Sequence, residues 1–281
     1  MASACDGCAQ RDGCNNQDSC EKRNGIEKLP QGAGNDIKCV IGVCSGKGGV
    51  GKSFVTATLA KKLSSEGLKV GIMDADITGP SIPRAYGLKG MLEVNENERI
   101  IPAETSSGIK VVSLNLLLED ESSPVIWRGP VLSGLVRQFW TDVEWGMLDV
   151  LLIDMPPGTG DIPLTIFQSL PIDGLVLVAT PQELVSMIVA KAGNMAAMMN
   201  VKILGLVENM AYVLCPDCGK KISLFGSDEV LLRDSSKAGI PLLDKIPLDP
   251  SVTALVDSGK TEDVDTSSML EGSAKAVRAL L

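Results

Sequence analysis

Gly46-Lys47-Gly48-Gly49-Val50-Gly51-Lys52-Ser53 is the stretch whose reading decides the rest of the chain. It fits the phosphate-loop pattern G-x-x-x-x-G-K-[ST] at every fixed position. Upstream, the apolar run Cys39 to Cys44 reads as a buried strand; downstream, Phe54 to Ser64 carries apolar residues at helical spacing. The order strand, glycine loop, helix gives the motif a physical meaning. Glycines let the backbone turn its N–H groups inward around phosphates, and a helix N-terminus adds a field that favours anions. Lys52 is then expected to reach the terminal phosphates and the Ser53 hydroxyl to bind Mg²⁺. A chance glycine turn would explain the octapeptide alone but not its flanks.

Composition narrows the setting. With 281 residues there is chain enough for one large α/β domain with appendages. The net charge of −9 argues against generic binding to nucleic acid or anionic lipid. No apolar stretch approaches the roughly 18 residues of a spanning helix, and the polar N-terminus lacks a signal-peptide core. The expected address is cytoplasmic. The chain contains no histidine, which removes Ser-His-Asp and Cys-His catalysis and leaves metal binding to thiolates and carboxylates.

Further stretches extend the nucleotide reading. Val70 to Met73 is a short apolar strand ending in Asp74-Ala75-Asp76, where open α/β sheets bind ligands. One carboxylate suits water-mediated Mg²⁺ binding, and Asp76 is the candidate for orienting the attacking water. The alternative is a pair of turn and cap residues. Asp149 to Asp154 is an apolar run closing on an acid, so Asp154 is expected to support Mg²⁺ through water. Gly158, in the following Pro156-Pro157-Gly158 turn, is a candidate γ-phosphate sensor. Asn209, at the exit of a strand over Val201 to Val207, and Pro247 are candidates for the adenine pocket, with a local turn cap as the alternative for Asn209.

The eight cysteines need their own account. Cys5, Cys8, Cys14 and Cys20 stand in a polar, turn-rich segment that has nothing to bury, so a metal centre is the plausible organiser. Four thiolates suit either a [4Fe–4S] cluster or zinc, and the bland alternative is a tail with incidental thiols. Residues 1–24 are read as this segment, 25–37 as a flexible linker and 38–281 as the nucleotide-binding domain. Cys215-Pro216-Asp217-Cys218-Gly219-Lys220 is half of a four-cysteine knuckle without its other half nearby. Two thiolates close neither a tetrahedral site nor a four-iron cluster, and a two-fold dimer would supply two more. A zinc knuckle, a redox dithiol or a structural pair are the rivals. Cys39 and Cys44 read as buried hydrophobes. The methionines over Gln182 to Asn200 read as core or interface filler on a long helix. Trp127 to Phe139 reads as an amphipathic helix, and Thr266 to Leu281 as a closing one.

Lys47 is the unusual residue of the loop. The loop backbone blocks it from its own triphosphate, so one solution is to reach the nucleotide of a second copy. With Asp74 to Pro83 and Ile153 to Asp161, the loop resembles the deviant Walker A ATPases, and within them the Mrp/ApbC branch with its eukaryotic cytosolic relatives, over about Lys38 to Pro250. The resemblance implies a doubly wound, mostly parallel α/β sheet of about seven strands, a P-loop NTPase fold. It implies a homodimer in which Lys47 acts in trans, with Lys47, Lys52 and Asp76 as the catalytic set. The implied nucleotide-binding set is Gly46, Lys47, Gly48, Gly49, Val50, Gly51, Lys52, Ser53, Phe54, Gly158, Asn209 and Pro247. Cys215 and Cys218 would bridge a [4Fe–4S] cluster between subunits. Cys5, Cys8 and Cys14 match the last three members of an N-terminal cluster pattern whose distant first cysteine is missing here, and Cys20 is the natural fourth ligand. The expected function is an ATP-dependent, Mg²⁺-dependent carrier that hands its cluster to apo-proteins. The competing functions are a zinc-stabilised regulatory ATPase and a spatial organiser acting on membrane or DNA, which the acidic balance disfavours.

Overall fold

The computed structural model describes residues 28–76, 81–117, 129–158, 160–181, 199–224 and 239–281. Cys5, Cys8, Cys14 and Cys20, the opening of the helix read from Trp127, and nearly all of the helix read over Gln182 to Asn200 lie outside them.

A single sheet carries the fold. Strand β1 (Asp36–Ser45) leads into the glycine loop and helix α1 (Lys52–Ser65), followed by β2 (Val70–Asp74) and the short helix α2 (Ile82–Ala85). Then come β3 (Ala103–Glu104), β4 (Lys110–Ser113), α3 (Gly129–Thr141), β5 (Met147–Asp154), α4 (Asp161–Ser169), β6 (Gly174–Ala179) and β7 (Ile203–Glu208). A hairpin of β8 (Val213–Leu214) and β9 (Lys221–Ile222) precedes β10 (Leu242–Lys245), α5 (Pro250–Asp257) and α6 (Glu271–Arg278). The main sheet runs β10-β7-β6-β1-β5-β2-β4-β3. All its pairings are parallel except β3 with β4.

Eight strands stand where about seven were expected. The addition is β3, two residues long and outside any apolar run, made by a turn in which Gly108 at φ 79° lets Ile109 return alongside Thr105. The closing helix is shorter than expected, Glu271–Arg278, because the Asp244 carboxylate accepts Gly272 N (2.9 Å) and Ser273 N (2.7 Å) and sets its start there. The linker reading ran to residue 37, yet residues 28–35 are bonded to the domain. Leu29 N donates to Ser169 O (2.8 Å), Trp140 Nε1 to Leu29 O (3.0 Å), and the Asn35 amide bridges Gly146 N and Val143 O.

Alternation along β1 divides the core. Val40 and Cys44 pack with α3 and α4 residues such as Trp140 and Phe167, whereas Cys39, Ile41 and Val43 pack with Val55, Leu59 and Leu63 of α1. Both faces are therefore covered, which is why β1, β5 and β6 are nearly continuous apolar runs. Gly42 permits this closeness: a Cβ there would meet Leu175 Cδ2 at 2.7 Å and Met155 Sδ at 2.9 Å. Cys39 and Cys44 are buried at 1% and 5% exposure, and burial pushes both thiols up to about 12.

Candidate nucleotide site and cysteine hairpin

The glycine loop leaves the carboxyl end of β1 between β5 and β6. The chain departs from there to one side of the sheet and later returns to the other, so a crevice opens at this end. Gly49 and Gly51 take φ of 80° and 79°, a conformation that disfavours a side chain. At Gly48 and Gly49 an added Cβ would meet nothing within 4 Å, so the concave side of the loop is clear. Helix α1 starts without a side-chain cap and without an acid in its first turn, leaving its N–H groups for an anion.

Lys52 is buried at 5% exposure, with Nζ 2.8 Å from Asp154 Oδ1 and 3.2 Å from Asp76 Oδ2. Burial pulls its ammonium pKa down, but the charges of Asp154 and Asp76 outweigh that and leave it raised. Ser53 Oγ donates to Asp154 Oδ2 at 2.5 Å, and Thr56 Oγ1 donates to Asp154 Oδ1 at 2.8 Å. Register pairs Asp74 with Asp154 on adjacent strands. Asp74 accepts Ser113 Oγ (3.0 Å) and Asp76 N (3.2 Å); burial first and the Asp154 charge next push its carboxyl well above the usual range. The result is a hydroxyl, an ammonium and the Asp76 carboxylate at the mouth of an anion cradle, with the buried carboxylates of Asp154 and Asp74 behind them. Oxygen donors of this kind suit Mg²⁺, so the residues present fit a magnesium nucleotide.

Two adjoining cavities provide the space. One of about 610 Å³ lies over the loop, lined among others by Lys47, Gly48, Gly49, Lys52, Ser53, Asp76 and Pro157. Another of about 550 Å³ is lined among others by Asn209, Met210, Pro247, Leu248 and Asp249, and the two share Gly51, Phe54, Val256 and Asp257. The space over the loop and the space beside Asn209 and Pro247, the residues expected at the base, thus meet at the start of α1. Of the residues expected from sequence, Lys47, Gly48, Gly49, Gly51, Lys52, Ser53, Phe54, Asp76, Asn209 and Pro247 border these spaces. Gly46, Val50, Asp154 and Gly158 border neither. Asp154 is fully buried behind Ser53 and Lys52, and Gly158, at φ 86°, donates its N–H to Ser45 O at 3.0 Å.

Asn209 is more than a cavity wall. Its Nδ2 donates to Val50 O at 2.9 Å, and a Cβ on Gly51 would come within 2.1 Å of that nitrogen. The side chain ties β7 to the loop from beneath, so one of its two N–H donors is already committed. The sequence reading missed Thr56, although its place one helical turn after Lys52 is a usable signal. It also missed Ser113, which nothing short of the β2–β4 pairing could have placed beside Asp74.

Cys215 and Cys218 occupy the tip of the β8–β9 hairpin. Cys215 N donates to Lys220 O (3.0 Å) and Gly219 N to Cys215 O (2.9 Å), with Gly219 at φ 68° closing the knuckle. The backbone N–H groups of Cys218 and then Asp217 draw the Cys215 thiol below its ordinary pKa, the environment a ligating thiolate needs. Cys215 is half-buried and Cys218 exposed, with Leu214, Ile222 and Leu224 exposed around them. Among the described residues no group of three or more Cys, His, Asp or Glu is arranged to hold a metal ion. The pair therefore offers two thiolates and needs further ligands. Among the described residues, no helix is long and apolar enough to cross a membrane.

The sequence profile of the NUBPL iron-transfer P-loop NTPase family matches residues 36–280. The iron-sulfur cluster carrier protein of Clostridium perfringens is 49% identical over 243 residues, covering 84% of each chain. The cytosolic Fe-S cluster assembly factor CFD1 of Eremothecium gossypii is 41% identical over 239 residues, covering 81% of this chain and 84% of the other. Among solved structures, the nucleotide-binding protein of Archaeoglobus fulgidus in complex with ADP superposes with a TM-score of 0.74 at 44% identity, covering 83% of this chain and 92% of that one.

Proposed function

The chain belongs to the NUBPL iron-transfer P-loop NTPase family, and from that premise we propose that it is an ATP-dependent carrier of iron–sulfur clusters. It holds a [4Fe–4S] cluster between two copies of itself and passes it to apo-proteins in the cytoplasm. The observation that carries this reading is the hairpin of Cys215 and Cys218: a half-buried thiol lowered in pKa beside an exposed one, on a domain with a complete phosphate loop. Two such hairpins related by a two-fold axis give the four thiolates a four-iron cluster takes. Cys5, Cys8, Cys14 and Cys20 are assigned a second cluster.

In the nucleotide site, Lys52 exchanges Asp154 and Asp76 for the terminal phosphates. Ser53 Oγ would hold Mg²⁺ directly and Asp154 would support it through water. Bound Mg²⁺ neutralises charge on the phosphate oxygens. Asp76, released from Lys52, orients the attacking water. Lys47, exposed where it lines the cavity over the loop, contributes its charge to the nucleotide of the second copy. Asn209 holds the loop through Nδ2 and offers Oδ1 to the adenine amine, beside Phe54 and Pro247. Hydrolysis at this shared face alters how the copies meet, and with it their hold on the cluster.

Anaerobic reconstitution tests the reading in a variant lacking Cys5, Cys8, Cys14 and Cys20. It should contain about four iron and four sulfide per two chains, absorb with broad sulfur-to-iron charge-transfer bands, and migrate as a dimer. Cys215→Ala should lose both iron and sulfide. Full retention in Cys215→Ala, or zinc in place of iron, would overturn the bridging cluster.

A further inference from the structure

Arg84 lines the phosphate cavity beside Asp76, Ser81 and Pro157, and does not border the base cavity. Its backbone is held on a fixed platform. Ala85 N donates to Ser81 O (2.9 Å), Thr261 Oγ1 to Ala85 O (2.6 Å) and Tyr86 OH to Ala57 O (2.8 Å). Gly87 and Gly259 pack so closely that a Cβ on Gly87 would lie 2.9 Å from Gly259 O. Helix α2 is thereby joined to α1 on one side and to the segment after α5 on the other. The Arg84 side chain contrasts with this anchoring. It is exposed, and among the described residues it makes no hydrogen bond or ion pair, not even with Asp257, which lines the same cavity.

Electrostatics make this placement informative. Three cationic residues line the cavity. Lys52 is balanced by Asp154 and Asp76, and Lys47 has a contact of its own. Arg84 alone brings a cation that no described group engages. Its solvent exposure means that little desolvation opposes a new contact, and its planar fork matches phosphate oxygens better than an ammonium does. Its neighbours Asp76 and Pro157 follow the carboxyl ends of β2 and β5, the end of the cavity away from the base.

We propose that Arg84 is a phosphate-contacting residue that binds the terminal phosphate of ATP in its own subunit. The assignment rests on the nucleotide-site reading above and adds a cation from outside the glycine loop. It makes Arg84 a source of preference for ATP over ADP.

Isothermal titration of the full chain with MgATP and with MgADP tests this, in the parent and in Arg84→Ala, Arg84→Gln and Arg84→Lys. The Ala and Gln variants should bind MgATP about ten-fold more weakly, with MgADP nearly unchanged, and Lys should recover most of the loss. The ATP-to-ADP ratio within one variant is insensitive to its folded fraction, so a stability effect does not imitate the result. Parent-like MgATP affinity in Arg84→Ala, or equal weakening of both nucleotides, overturns the proposal while leaving the nucleotide site intact. Failure of the parent itself to bind either nucleotide would instead remove the reading on which it stands.

Discussion

Replacing Asn209 with alanine should destabilise the protein even when no nucleotide is present. Asn209 is 3% exposed, and its Nδ2 donates to a carbonyl on Val50, which is 1% exposed. Removing the amide strands that carbonyl in the interior, at a cost of about 1–3 kcal/mol. The β7 exit is otherwise held by backbone bonds that the substitution leaves alone, Asn209 N to Ala179 O (2.8 Å) and Ala211 N to Ile246 O (2.9 Å). A loss of about 2 kcal/mol corresponds to a fall in Tm of about 4–8 °C for a domain of this size. Asn209→Asp should be worse than alanine, because it sets a carboxylate oxygen against the Val50 carbonyl. The assay is urea unfolding of nucleotide-free protein followed by circular dichroism, alongside titration with MgADP. If Asn209 served only to contact the base, the apo variants would unfold like the parent and only nucleotide affinity would fall. That outcome would refute the reasoning.

Two further outcomes follow from the ionisation of particular groups. With thiols pushed up to about 12, Cys39 and Cys44 are thiolate to about one part in ten thousand at pH 8. Peptide mass spectrometry after iodoacetamide treatment of native apo-protein should find both unmodified and Cys215 and Cys218 alkylated; labelling of Cys39 or Cys44 at the Cys218 rate would contradict their burial. Asp149 accepts Lys38 Nζ (2.7 Å) and Lys69 N (2.8 Å), and the Lys38 bond first, then the Lys69 N–H, hold its carboxyl below the usual value. Its contribution is full above the unfolded carboxylate pKa of about 4 and fades as pH falls through the lower folded value. Asp149→Asn should therefore reduce stability at pH 6 and make the decline below pH 4 shallower, and an unchanged acid limb would count against the pairing.

Much of the site was legible locally because its signals are short-range. Glycine spacing, an apolar run before the loop and helical periodicity after it identified Gly46 to Ser53, β1 and α1, which occupy Asp36–Ser45 and Lys52–Ser65. Asp154 was legible for the same reason, as an acid closing a buried strand. Thr56 was overlooked because a threonine inside a helix reads as ordinary until the strand it faces is known. The two-residue β3 carries no periodicity to detect, and the packed course of residues 28–35 was hidden by a composition that looks like a linker. Those residues gain their order from Ser169, Trp140 and Gly146, which lie more than a hundred positions away.

By itself, the sequence determined that a phosphate loop stands between a buried strand and a helix, that acids close the neighbouring strands, and that two cysteines stand in a turn with two residues between them. These are matters of residue type and local spacing. The tertiary structure alone decided that β5 lies between β1 and β2, which places Asp154 opposite Asp74 and brings it within reach of Lys52, Ser53 and Thr56. It alone brought Asn209 beneath Val50 and set Arg84 at the rim of the phosphate cavity. Covering both faces of a parallel sheet makes its central strands continuous apolar runs, but which of these runs lie side by side depends on contacts between residues a hundred positions apart and leaves no trace in local periodicity.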